Sequence, residues 1–342
     1  MISTEFFKGL PLEYESFLIE QYDSFMTTCR YIEIYYPTQD VNYMIVKEDG
    51  NMIELLVFGN KEQTCTCFNS LVNIDQYIVD EFIKNVFQKY SFIKKIIIGA
   101  SYNCYKFNNS FLSSSTNDHI LYLPSTIDDY YMGLGSKMRR NLKSNQAKLL
   151  RDFPQINFVT IFSDEITEDI INRVIQLNIE RMKQKGVIPG KNDIDIQKIY
   201  NFSKHYGCVA YIEIDGKIIA GNICYILNNR IFGHVIAHDN NFSSYNIGYL
   251  CQLHLIKTLI DKGLSKFHFL WGNSEYKIKL LAKPHSLFSY HVHRTYSLNL
   301  IFNKYKAKFL GLIVQVRNST FTKPLRSIVK SYRRNRLKQE LN

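Results

Sequence analysis

Cys208-Val-Ala-Tyr-Ile-Glu-Ile214, Asp215-Gly216, Lys217-Ile-Ile-Ala-Gly-Asn-Ile-Cys-Tyr-Ile-Leu227, Asn228-Asn229 and Arg230-Ile-Phe-Gly-His-Val-Ile-Ala-His238 follow one another without interruption. Three runs rich in β-branched and aromatic residues are joined by Asp-Gly and Asn-Asn, pairs that tolerate the positive φ of tight hairpins. The spacing predicts an antiparallel meander. Downstream, a polar loop leads into a helix over about 246–262, then a strand at 266–271, a short helix at 273–281 and a strand at 287–296. Upstream, 136–152 reads as a basic helix and 157–162 as a strand. Helices follow over 167–185, with Ser163 or Asp164 near the cap, and over about 195–205.

The first 120 residues read as a separate α+β segment. Short β-prone runs occupy 30–36, 42–47 and 52–58, with a hairpin turn at 48–51. Ile78, Val79, Phe82, Ile83, Val86 and Phe87 trace the apolar face of a helix over 76–90. Residues 95–99 and 119–123 read as buried strands, and the Ser/Asn-rich stretch 108–117 as the loop between them. The expected class is thus α+β with mixed sheets, in three parts: 1–122, 123–298 and a basic helical extension over 299–342.

At 342 residues, 46% apolar and 21% charged, the chain can bury two full cores. The longest uncharged run, 240–256, is too short and too rich in Asn and Ser to span a bilayer. The first residues show no basic stretch followed by a cleavage site. Seven cysteines without a C-x-x-C pair point to reduced thiols in a cytoplasmic protein. The net charge of +11 is concentrated at one end, because 301–342 holds 11 Lys+Arg against a single Glu. That asymmetry points to an anionic partner.

The junction Phe242-Ser-Ser-Tyr-Asn-Ile-Gly-Tyr249 places a helix N-terminus after the meander. Free backbone N–H groups and the positive dipole end favour a phosphate there. Asn246 suits an N-cap, and Gly248 admits close backbone approach. An ordinary capped helix is the competing reading.

Three strings carry a family resemblance. They are Leu123-Pro-Ser-Thr-Ile-Asp-Asp-Tyr-Tyr-Met-Gly-Leu-Gly-Ser-Lys-Met-Arg-Arg-Asn-Leu-Lys143, His238-Asp-Asn-Asn-Phe-Ser-Ser-Tyr-Asn-Ile-Gly248 and Phe269-Leu-Trp-Gly-Asn-Ser-Glu-Tyr-Lys-Ile-Lys279. In order and spacing they resemble the FemAB-like branch of the GNAT superfamily, which includes CelD-type proteins of polysaccharide biosynthesis. Where that family has Ser-Pro-Gly before the long helix, this chain has Asn246-Ile247-Gly248. The resemblance implies two GNAT-like halves. It also implies transfer of an acyl group, with acetyl-CoA or another acyl-CoA as co-substrate, to an amine or hydroxyl. The acceptor would be a sugar, nucleotide sugar or lipid-linked glycan precursor.

In that chemistry a cation or donor lowers the barrier through a tetrahedral oxyanion, and Lys277 is the candidate. Glu275, His238 and Asp239 are candidates to accept the nucleophile's proton. Tyr276 would protonate a departing thiolate or hold the substrate. Tyr245, Asn246, Ile247, Gly248 and Tyr249 would hold the CoA pyrophosphate. Arg139, Arg140 and Lys143, with 139 and 143 on one helix face, would bind donor or acceptor phosphates. Trp271 borders the same region. Each basic residue also admits the plainer reading of a solvated helix face, and Trp271 that of core.

No metal is expected: His234 and His238, and His291 and His293, lie on strand readings without a third ligand. In the tail, Phe302, Tyr305, Phe309, Leu312, Ile313 and Val316 form one stripe flanked by lysines. That layout suits an interfacial helix on an anionic membrane surface, placing the protein on the inner face of the cell membrane. A helix packed on the body, or one gripping RNA, are the other readings, because some FemAB relatives use aminoacyl-tRNA as donor. Aminoacyl transfer from tRNA and a non-catalytic membrane-associated protein on the same fold are the competing functions.

Overall fold

The computed structural model describes residues 2–184, 186, 193–272 and 275–295. The packing forms two units, one running to Asp118 and rejoined by the chain from His285, the other spanning His119–Pro284. In chain order the first elements are β1 (Ile2–Lys8), α1 (Glu15–Tyr22), α2 (Cys29–Tyr35), β2 (Asp40–Glu48), β3 (Asn51–Lys61), β4 (Thr64–Cys67), α3 (Gln76–Lys89), β5 (Lys95–Ser101) and β6 (Ser110–Tyr122). After them come α4 (Ile127–Gly133), α5 (Ser136–Asp152), β7 (Asn157–Phe162), α6 (Glu168–Gln184), α7 (Asp193–Tyr206), β8 (Gly207–Ile214), β9 (Lys217–Leu227) and β10 (Arg230–His238). The chain closes with α8 (Ile247–Asp261), β11 (Lys266–His268), α9 (Glu275–Lys279) and β12 (Lys283–His293).

In the first unit the strands lie in the order β1-β2-β3-β4-β5-β12. Asp49 (φ 50°) and Gly50 (φ 86°) make the β2–β3 turn, the conformation that two-residue hairpins demand. The apolar face of α3 (Ile78, Val79, Phe82, Val86) packs into the core with Phe58 and Met44. Two expectations fail here. Residues 30–36 form helix α2 rather than a strand. Thr28 Oγ1 accepts from Tyr31 N at 3.2 Å, and the rings of Tyr31 and Tyr35, one turn apart, stack at 4.3 Å. Residues 108–117 are mostly strand: no residue in the early part of β6 is fully buried, so its composition imitates a loop, and Ser113 Oγ donates to the Ser289 carbonyl of β12. β12 pairs antiparallel with β5.

The second unit orders its strands β6-β11-β10-β9-β8-β7, all antiparallel except the β10–β11 pair. Alternation along β8 sorts the two faces. Cys208, Ala210 and Ile212 join a core with Leu142, Leu149 and Ile256 from α5 and α8; Val209 and Tyr211 join Ile171, Val174 and Ile175 of α6. The cap expected at Ser163 or Asp164 lies further on. Residues Ser163–Glu165 form a 3-10 turn, and Thr167 Oγ1 accepts from Ile170 N at 3.4 Å. The expected extension over 299–342 lies outside the described residues, as do 273 and 274.

Helix α6 rides close to β9 because Gly221 has no side chain: a Cβ there would lie 2.5 Å from Val174 Cγ2. Gly221→Ala is expected to lower stability by about 1–3 kcal/mol through overpacking. Val174→Ala in the same chain should recover part of that loss. A double-mutant cycle in urea melts reads the coupling.

Candidate functional site

β10 and β11 run parallel and share hydrogen bonds only where Arg230–Phe232 face Lys266–His268. Beyond that point β10 continues to His238, with a bulge between Gly233 and Val235, while the chain leaving β11 follows β6, Phe269 N donating to His119 O at 2.8 Å. The carboxyl ends of two parallel neighbours therefore part, the place where mixed α/β sheets open for ligands. A cleft of about 280 Å³ lies there. Its wall combines Ile236 and His238 of β10, Ser243, the start of α8 from Asn246 to Tyr249, Gln252, Arg181 of α6 and Tyr276 of α9.

The N-terminus of α8 faces this cleft. Asn246 takes the left-handed conformation (φ 52°) that Asn tolerates, and its carbonyl receives Tyr249 N at 2.8 Å and Leu250 N at 3.3 Å. The side chain makes no capping bond, so Asn246 holds the cap position through its backbone alone. The amides of Ile247 and Gly248 precede the first intrahelical bond and remain for a ligand oxygen. Ile247 anchors the turn, fully buried. Gly248 serves a neighbour: a Cβ there would stand 2.9 Å from His238 Nδ1, so glycine lets the imidazole lie against the helix.

Six of the expected site residues are therefore in the wall: His238, Asn246, Ile247, Gly248, Tyr249 and Tyr276. Burial pushes the phenols of both tyrosines up, so each keeps its proton at neutral pH.

Other candidates are committed elsewhere. Lys277 is 3% exposed, and its Nζ donates to the carbonyls of Phe269 (3.0 Å), Leu270 (2.8 Å) and Trp271 (2.8 Å). Three carbonyls receive the ammonium, so Lys277 clamps the turn after β11. Glu275 is exposed and ion-pairs with Lys279 at 3.9 Å. Asp239 starts the 3-10 turn Asn240–Tyr245, accepting from Asn241 N at 2.9 Å. Tyr245 turns to α5: its hydroxyl donates to Asp152 Oδ2 at 3.0 Å, with Lys148 Nζ 4.6 Å above its ring. Hydrogen bonds from Arg151 first, then Tyr245, hold the Asp152 carboxyl below its usual range.

Arg139 is likewise held by backbone carbonyls. Its Nη1 donates to the carbonyls of Tyr131 (3.2 Å), Met132 (3.0 Å) and Leu134 (2.6 Å), closing the C-terminal end of α4. Arg140 and Lys143 are exposed on α5 and line no wall of the cleft. Trp271 is 44% exposed and so is not core. Among the described residues no group of three or more His, Cys, Asp or Glu is placed to hold a metal.

Among the wall residues not anticipated are two polar side chains from α-helices. Arg181 follows Val174 by seven residues and Leu177 by four, which puts it on the buried face of α6. Its Nη2 donates to Ile236 O at 3.0 Å, a carbonyl that Asn178 also reaches at 2.9 Å. Gln252 is the one amide in a helix otherwise apolar on nearly every side, and is 2% exposed. Helical spacing marks the first, and an amide inside an apolar run marks the second.

Residues 136–278 match the model of the acetyltransferase (GNAT) domain. Among solved structures the chain resembles FemX at 8% identity and a TM-score of 0.59, covering 83% of this chain and 96% of that one. A tandem GNAT protein from the clavulanic acid biosynthesis pathway matches at 10% identity and a TM-score of 0.51, over 86% of this chain and 100% of that one. A conserved protein of unknown function from Bacteroides thetaiotaomicron matches at 14% identity and 0.51, over 85% and 99%. No curated protein sequence matches the chain. The fold is that of tandem GNAT proteins, and the second unit carries an acyltransferase domain of GNAT type.

The clamp at Lys277 gives a test that separates structure from chemistry. Lys277→Met keeps the stem and removes the ammonium, leaving three carbonyls unsatisfied. It is expected to cost at least ~3 kcal/mol of stability, read as a lower urea midpoint. A group acting only on the reacting carbonyl would leave that midpoint unchanged.

Proposed function

We propose that the second unit transfers an acyl group, acetyl in the first instance, from acyl-CoA to an amine or hydroxyl of a sugar, nucleotide sugar or lipid-linked glycan precursor in surface polysaccharide assembly. The observation that carries this reading is the cleft between the parted ends of β10 and β11, with the two open amides of α8 at its edge. The acyl donor supplies an activated thioester carbonyl and a thiolate leaving group. Its pyrophosphate suits the amides of Ile247 and Gly248, which offer N–H donors and a positive dipole end to an anion.

Within the cleft His238 is the base of choice. Its ring lies in the wall, whereas Glu275 stands in solvent and Asp239 is spent on a turn. His238 takes the proton as the acceptor's nitrogen or oxygen attacks the carbonyl carbon. The C–S bond then breaks, and the departing sulfur takes up the proton that His238 accepted, while Tyr276, kept neutral because burial disfavours the phenolate, donates a hydrogen bond to that sulfur. The FemAB-like branch, with CelD-type proteins as the nearest functional analogy, is in keeping with the likeness in fold to FemX.

For the tail we propose an anionic membrane surface as partner, on the charge of 301–342 and its amphipathic stripe. No helix of the described residues is long and apolar enough to cross a membrane. At about 1 kcal/mol per basic residue held near anionic lipid, the full chain is expected to sediment with phosphatidylglycerol vesicles at 0.1 M salt. Release near 1 M salt, where screening is nearly complete, and no sedimentation with phosphatidylcholine alone would complete the pattern. Equal binding to both lipids would refute it.

Acetyl-CoA at millimolar concentration should raise the thermal midpoint of the purified protein by mass action, with ATP as the control. Tyr276→Phe should keep that shift and lower kcat about 10²-fold. No shift with acetyl-CoA would move the donor to aminoacyl-tRNA, or the chain to a non-catalytic role.

A further inference from the structure

The cleft wall contains a charge and an acceptor that the protein itself does not match. Arg181 spends one of its five N–H donors on Ile236 O. Its Nε is buried and has no hydrogen-bond partner, and no carboxylate among the described residues forms an ion pair with it. Tyr276, the ionisable neighbour across the cleft, stays neutral and supplies no counter-charge. A guanidinium held partly out of water without an anion is costly, and its planar fork suits carboxylate or phosphate oxygens.

Gln252 supplies the second half. The Cys251 thiol donates to Ala210 O at 3.5 Å, Asn222 Nδ2 donates to Cys251 Sγ at 3.1 Å, and Gln252 Nε2 donates to Asn222 Oδ1 at 2.6 Å. This chain fixes the direction of both amides, leaving Gln252 Oε1 as a buried acceptor without a donor in the cleft wall. A ligand that satisfies it must bring an N–H or O–H.

We infer that the acceptor carries an anionic group, a carboxylate or a phosphate, beside the amine or hydroxyl that is acylated: Arg181 binds the anion and Gln252 Oε1 accepts a hydrogen bond from an N–H or O–H of the acceptor other than the proton that His238 removes. This rests on the acyl-transfer reading above and names the class of its second substrate. The assignment also divides the cleft. The amides of Ile247 and Gly248 serve the donor's phosphates, and Arg181 serves the acceptor.

The test uses the full chain saturated with CoA and two matched pairs of probes, alanine against alaninamide and glucosamine 6-phosphate against glucosamine. Apparent affinities come from thermal-melt titrations. In wild type at least one anionic member should bind about tenfold or more tighter than its neutral partner, and the pair that responds tells carboxylate from phosphate. Arg181→Gln should abolish the difference while the acetyl-CoA shift persists. Arg181→Lys, which keeps the charge and removes the fork, should restore part of it and guards against a misfolded variant. Equal affinity within both pairs overturns the inference. So does a preference that survives Arg181→Gln, or a loss of the acetyl-CoA shift in that variant, which would put Arg181 on the donor's phosphates. Failure of acyl transfer itself shows differently, as no acetyl-CoA shift in wild type.

Discussion

The parting of β10 and β11 after the Phe232–His268 pair is the constraint that the rest of the second unit answers. Two parallel strands that stop sharing hydrogen bonds leave edge amides and carbonyls that must find partners or water. On the β10 side the Ile236 carbonyl is taken by Asn178 and Arg181, which ties α6 to the rim of the opening. On the β11 side the carbonyls of 269–271 turn inward to one ammonium. Leu270 (φ 54°) and Gly272 (φ 101°) take left-handed backbone to bring them there. The cleft is thus held open by side chains doing the work of missing ladder bonds.

The same constraint sorts residues that look equivalent in the sequence. Lys277 and Arg181 are both basic, helical and close to the proposed chemistry. One sets its ammonium on three carbonyls; the other gives a single carbonyl bond and lines the cleft. Arg139 and Arg140 differ in the same way, the first closing α4 and the second standing in solvent. Charge alone does not distinguish such pairs, because what matters is which backbone carbonyls lie within reach.

The second unit was largely legible from the sequence. Period-2 alternation and turn pairs define β8, β9 and β10, and the apolar faces of α6 and α8 are strong enough to fix their bounds within a residue or two. The first unit was harder. Thr28 and the Tyr31–Tyr35 stack turn a β-prone composition into a helix, and a solvated strand at 110–117 carries no apolar alternation to reveal it. In the site, Asn246 to Tyr249 line the cleft because local backbone geometry places them. Lys277 and Tyr245 are not among its lining residues, since their partners (carbonyls at 269–271, the carboxylate of Asp152) are set by the fold and not by spacing, while Asp239 is held by the nearby amide of Asn241.

The three carbonyls around Lys277 have a further consequence for a protein that handles activated acyl groups. An amine attacks a thioester only through a free lone pair, and an ammonium whose protons are all donated to backbone oxygens has none to offer. Under the proposed acyl transfer, the lysine next to Tyr276 is thereby withheld from the thioester, and a loosening of that turn would be felt as slow self-acylation at Lys277 as well as loss of form.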